Sequence, residues 1–86
     1  MHIEKWEISP RIDKKYRVHI RLDDGKIRKV DFGARGYAQY RDSTPLKAYS
    51  HLDHLDKMRR DRYFKRHKID YPMGSADSLS KQFLWS

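Results

Sequence analysis

The 86-residue chain contains no cysteine. That excludes a disulfide framework and every cysteine-ligated zinc or iron–sulfur site. It has no long apolar run, and nothing in it approaches the ~20 residues needed to cross a bilayer. The opening segment Met1-His2-Ile3-Glu4-Lys5-Trp6 lacks the apolar core of a secretory signal. The length leaves no room for a Rossmann, P-loop or barrel fold. Internal repeats and low-complexity segments are missing as well. These absences point to a soluble intracellular protein, not secreted and not in a membrane, or to one packaged in a particle that a cell assembles.

What is present is charge and aromatic surface. Lys and Arg number 20 against 12 Asp and Glu, for a formal net charge of +8. Charged residues make up 37% of the chain, a fraction usual in disordered segments. Disordered chains are poor in aromatics, however, and here six Tyr, three Phe and two Trp run from Trp6 to Trp85. A thin core of marginal stability is therefore expected, as is usual for a domain this small.

The chain reads as a single small domain over 1–86 with two halves, β-rich over 1–40 and helical over 41–86. In Lys15-Tyr16-Arg17-Val18-His19-Ile20-Arg21-Leu22 the apolar Tyr16, Val18, Ile20 and Leu22 alternate with Lys15, Arg17, His19 and Arg21. This period of two predicts a strand with one buried and one basic face. Asp24-Gly25 marks a hairpin turn into a return strand over 27–32, with Val30 and Phe32 inside. An earlier strand over 3–8 sets Glu4, Trp6 and Ile8 against Ile3, Lys5 and Glu7, before Pro10 and Asp13 break it. In the second half, Ser43-Thr44-Pro45 places a capping hydroxyl before a helix from Pro45 to about Ser50. Ser50 or Asp53 caps a helix over about 52–67, which Tyr71-Pro72-Met73-Gly74 ends. Ser75 or Asp77 starts a last one over 78–85. The fold class is α+β: an antiparallel meander of about three strands followed by two or three helices.

Four segments carry the chemistry. The stretch 56–68 holds seven Lys/Arg against two Asp. Arg59, Arg62 and Arg66 share a helical face there and can offer guanidinium forks to phosphates. Alternatively it is a solvated helix with Asp56–Arg60 and Asp61–Lys65 pairs and with Tyr63 and Phe64 in the core. Gly33 and Gly36, after the third strand, fit a bend out of the sheet or a phosphate-cradling nest, without the Walker or dinucleotide pattern. His51 and His54, with Asp53, Asp56 and His67 near in sequence, have metal-ligand spacing but no HExxH. A metal-dependent nuclease would need the fold to gather Asp31, Asp42 and Asp53. The end, Phe83-Leu84-Trp85, either docks on the sheet or plugs into a second copy of the chain.

The order of blocks Phe32-Gly33-Ala34-Arg35-Gly36-Tyr37, then Arg62-Tyr63-x-x-Arg66-His67, then Leu84-Trp85 resembles a family of short basic proteins of large DNA viruses, the giant and algal viruses. The resemblance covers about residues 14–85. The stretch from Ser43 to His54 is longer than the family pattern, and the chain stops just after Trp85. The family has no established activity, so the resemblance implies a viral origin and a place in the virion or in the cytoplasm or nucleus of an infected cell.

Together these readings give the expectation of a basic, non-enzymatic viral protein without cofactor or metal. It would bind nucleic acid through phosphate contacts from Arg17, Arg21, Arg59, Arg60, Arg62 and Arg66, with little sequence specificity. One alternative is a minor capsid or cement subunit whose partners are other virion proteins, joined through Phe83-Leu84-Trp85. The other is a small nuclease using His51, His54, His67 and nearby Asp residues.

Overall fold

A computed structural model describes residues 2–69, 71, 72 and 74–86. Three strands, β1 (His2–Ile8), β2 (Lys14–Arg21) and β3 (Ile27–Ala34), form an antiparallel meander in the order β1-β2-β3. A 3₁₀ turn (Ser50–Leu52) and two helices, α1 (Lys57–Arg66) and α2 (Ala76–Phe83), follow. This is the α+β meander with helices that the sequence predicts.

The hairpin register sets Tyr16 opposite Phe32 and Val18 opposite Val30. Tyr16, Val18, Ile20 and Phe32 are buried, and Val30 packs against them half-buried. Leu22 departs from the expectation. It leaves the strand to open the turn, accepting from the Gly25 amide and donating to Lys26, so its side chain stays exposed. β1 shows how a bulge rescues an imperfect alternation. Ile3 pairs with Ile20 and Lys5 with His19, so Glu4 is the extra residue. The one-residue shift puts Ile3 and Trp6 on the same face, where both reach the core.

α2 covers that face beside β3, with Leu79 and Leu84 buried. Ser75 caps it by accepting from the Ser78 amide at 3.2 Å. Phe83 meets the Trp6 ring edge-on at 4.8 Å, and Trp6 also lies edge-on to Tyr16 and Phe32. Each such aromatic pair adds about 0.5–1.5 kcal/mol beyond its buried area. The tail thus docks on its own sheet. The amides of Arg41 and Ser43 donate to the Leu84 and Phe83 carbonyls at 3.0 and 2.9 Å.

The 43–56 region corrects two expectations. The helix over Pro45–Ser50 does not form. Thr44 Oγ1 accepts from the Lys47 amide at 3.2 Å in a local turn, and Lys47 takes a left-handed backbone, so the chain reaches only a 3₁₀ turn. The basic helix starts at Lys57 and not near Leu52, because Asp53 is occupied elsewhere and Leu55 also sits at positive φ. Asp56 is the cap, accepting from the amides of Met58 and Arg59 at 2.9 and 3.2 Å. Of the segment expected to end this helix, Met73 lies outside the described residues.

Gly33 lets β3 turn under α2. Its φ is +80°, and an added Cβ would lie 2.9 Å from Leu84 Cδ1 and 3.2 Å from Lys15 Cβ. Gly36 has a φ of +92° but open space around it. Gly33→Ala should therefore cost about 3 kcal/mol, from backbone strain plus overpacking, and Gly36→Ala about 1 kcal/mol from strain alone. Urea unfolding of the two variants checks this, and equal losses would contradict the close approach of α2 to β3.

Candidate functional site

The site is built on a buried polar network that fixes the irregular segment 37–54. Lys15, expected on the basic outer face of β2, is instead 1% exposed. Its Nζ donates to the Tyr37 carbonyl at 2.7 Å and to Gln39 Oε1. Gln39 Nε2 in turn donates to the Tyr49 carbonyl and to Asp53 Oδ1, each at 2.7 Å. Asp53 Oδ1 also accepts from the Asp42 amide at 2.8 Å. The Tyr16 hydroxyl donates to Asp42 Oδ2 and accepts from the Ala48 amide. Burial pushes the Lys15 ammonium down to about 8, against the opposing pull of Asp42 and Asp53. Burial, then the bond to Asp42, pushes the Tyr16 phenol up to about 12. Burial would raise the Asp42 carboxyl, but hydrogen bonds from Thr44, Tyr16 and the Tyr49 amide hold it below its ordinary value.

This segment carries α1. The Leu55 amide donates to the Tyr40 carbonyl at 3.1 Å, the Asp56 amide to His54 Nδ1 at 2.9 Å, and the Arg60 guanidinium lies 4.6 Å over the Tyr40 ring. On its inner face α1 presents Tyr63, which stacks on Trp85 with centroids 4.1 Å apart and planes 2° from parallel. His67 stacks on Tyr63 at 4.2 Å.

Between α1, α2 and the end of the β2–β3 hairpin lies a cleft of about 450 Å³. Lys14, Arg59 and Arg66 line it with Tyr37 and Trp85, and Lys15 and Leu84 border it from the core. A shallower hollow among Arg59, Arg62, Arg66 and Trp85 adjoins it. Among the described residues, Lys14, Arg59, Arg62 and Arg66 make no ion pair with a carboxylate. Asp77, an acid at the cleft wall, forms an ion pair with Lys81 at 2.9 Å and faces His67 at 3.7 Å.

The structure divides the six expected phosphate ligands. Arg59, Arg62 and Arg66 come together beside Trp85, and Arg60 lies on the other side of α1 against Tyr40. Arg17 and Arg21 stand apart on the sheet. Arg17 holds Asp31 through two 3.0 Å bonds, which keep that carboxyl below its ordinary value, and Arg21 pairs with Glu4. The expected Asp56–Arg60 and Asp61–Lys65 pairs are not found among the described residues, since Asp56 caps the helix. Tyr63 is core as expected, but Phe64 is exposed, and Tyr37 is 73% exposed at the cleft rim.

The groups considered for a nuclease are dispersed. Asp31 belongs to Arg17 and Ser9, and Asp42 and Asp53 to the buried network. His54 accepts a backbone amide at Nδ1, which leaves its proton on Nε2; burial, then the Arg59 charge, lowers its pKa. No cluster of three or more His, Asp or Glu side chains able to hold a metal occurs among the described residues. No helix among them is long and apolar enough to cross a membrane.

The cleft residues that sequence reasoning missed are Lys14, Tyr37 and Trp85. The Gly-x-x-Gly-Tyr spacing marks Tyr37 as the residue after a bend, but nothing local pairs Lys14 with a helix more than forty positions away. Comparison of the chain with protein-family models, with curated proteins and with solved structures finds no match.

Lys15 makes the network pH-sensitive. Its pKa is lowered on folding from 10.5 to about 8, so in that interval the unfolded chain binds more protons and stability rises with pH. Between pH 8 and about pH 9, before most unfolded tyrosines ionise, the wild type should gain about 1 kcal/mol in urea unfolding. Lys15→Met, less stable throughout, should lose that slope. An equal slope in both proteins would show that Lys15 is not buried.

Proposed function

We propose that the protein binds nucleic acid through phosphate contacts on the side of α1 that carries Arg59, Arg62 and Arg66, as a small, basic, non-enzymatic component of a virus or its infected cell. The observation that carries the reading is the convergence of these three arginines beside Trp85, without a carboxylate partner among the described residues. A guanidinium fork matches phosphate geometry, and counterions released from the nucleic acid supply the driving force. The excess charge of the chain favours the same partner by long-range attraction. The docking of Phe83 and Leu84 into the core supports this reading over one in which the tail joins other virion proteins. The viral assignment rests on the resemblance of the Phe-Gly-x-x-Gly-Tyr, Arg-Tyr-x-x-Arg-His and Leu-Trp blocks alone.

Affinity for nucleic acid should fall as salt rises, with a log–log slope of roughly −0.9 per duplex phosphate and −0.7 per single-strand phosphate neutralised. Replacing Arg59, Arg62 and Arg66 together by Ala should weaken binding about equally for unrelated sequences and flatten the slope by up to about three units. Circular dichroism should show the fold intact, because exposed arginines contribute little to stability. A folded triple variant that binds like the wild type would overturn the assignment of the site.

A further inference from the structure

We infer that the cleft beside α1 takes an unpaired nucleotide, so that the ligand is single-stranded nucleic acid with at least one base turned into the protein. The inference rests on the nucleic-acid reading above and narrows it to one substrate class.

The disposition of charge around α1 argues first. Tyr63 faces the protein interior, and Arg59 and Arg66, four residues before it and three after, lie on its flank. Residues two positions away from Tyr63 point the opposite way, and these are Asp61 and Lys65. The outward crest of α1 therefore carries Lys65 beside Asp61, while Arg59 and Arg66 turn toward the cleft. Arg59 and Arg66 line a concavity that a flexible strand can enter.

The cleft supplies the rest of what an unstacked nucleotide needs. Its volume of about 450 Å³ falls within the size of small-molecule sites. Lys14 stands on the sheet side and Arg59 and Arg66 on the helix side, so a phosphate on either rim meets a cation. Tyr37 is an aromatic with 73% of its surface exposed, at the mouth, where it offers a ring face for a base. Its backbone is fixed from behind, because its carbonyl accepts from buried Lys15. An exposed tyrosine on a rigid backbone, beside cations that have no carboxylate partner among the described residues, is the combination used by stacking platforms that bind single strands without reading sequence.

The test is fluorescence anisotropy with a labelled oligothymidine, an oligouridine of equal length and a blunt duplex, at one salt concentration. The two single strands should bind at least tenfold more tightly than the duplex. Tyr37→Ala should weaken the single strands by about tenfold and leave the duplex unchanged, and Tyr37→Phe should restore them. The two single strands separate a DNA ligand from an RNA ligand, and either preference supports the inference. Equal binding of single strand and duplex, unaffected by Tyr37→Ala, would overturn the cleft while leaving the phosphate-binding reading in place. No binding of any of the three at low salt would overturn both.

Discussion

The structure depends on a lysine buried at the end of a β-strand. Lys15 sits under the segment 37–54 and ties it to β2 through Tyr37 and Gln39, while its neighbour Tyr16 ties the same segment through Asp42. A buried ammonium is costly unless it finds acceptors, and Lys15 has two, the Tyr37 carbonyl and a Gln39 side chain that is itself fixed by Asp53. Removing one member leaves the others unpaired in a dry environment, so the network holds or fails as a unit. Its consequence is structural. The segment has little regular secondary structure, yet it is positioned well enough to carry a helix.

That helix has few other supports. The sheet contacts α2 directly, whereas α1 is held by Tyr63 stacked on Trp85, by Arg60 over Tyr40 and by backbone bonds at Tyr40 and His54. The two ends of the chain's second half, the network at 37–54 and the tail at 83–85, therefore meet at α1. The charge distribution follows the same division. On the sheet, some of the cations meet anions: Arg17 with Asp31 and Arg21 with Glu4. On α1 and at Lys14 they do not, among the described residues. Lys14, Arg59 and Arg66 thus bring positive charge to the rim of the cleft, where it can draw in a polyanion.

The hairpin was legible because alternation and Asp24-Gly25 are local signals, and Tyr16, Val18, Ile20 and Phe32 lie where a period of two puts them. Ser75 was legible as a cap for the same reason. Lys15 was not. Its type and phase both place it in water, and only the later segment that wraps over it changes that. Thr44 and Asp53 were misread as helix starters because their side chains serve distant or turn partners, which a propensity cannot see. Of the site, the arginine face of α1 follows from spacing alone. The pairing of that face with Lys14, Tyr37 and Trp85 is tertiary, and no pattern within either half of the chain encodes it.

The most direct measurement of the central claim is a backbone and indole NMR titration of the isotope-labelled protein with a short single-stranded oligonucleotide. Shift changes should concentrate at Lys14, Tyr37, Arg59, Arg62, Arg66 and the Trp85 indole, with the amides of Arg17, Arg21 and the rest of the outer sheet face unmoved. Changes centred on Arg17 and Arg21, with α1 and Trp85 silent, would place the ligand on the sheet and contradict the account.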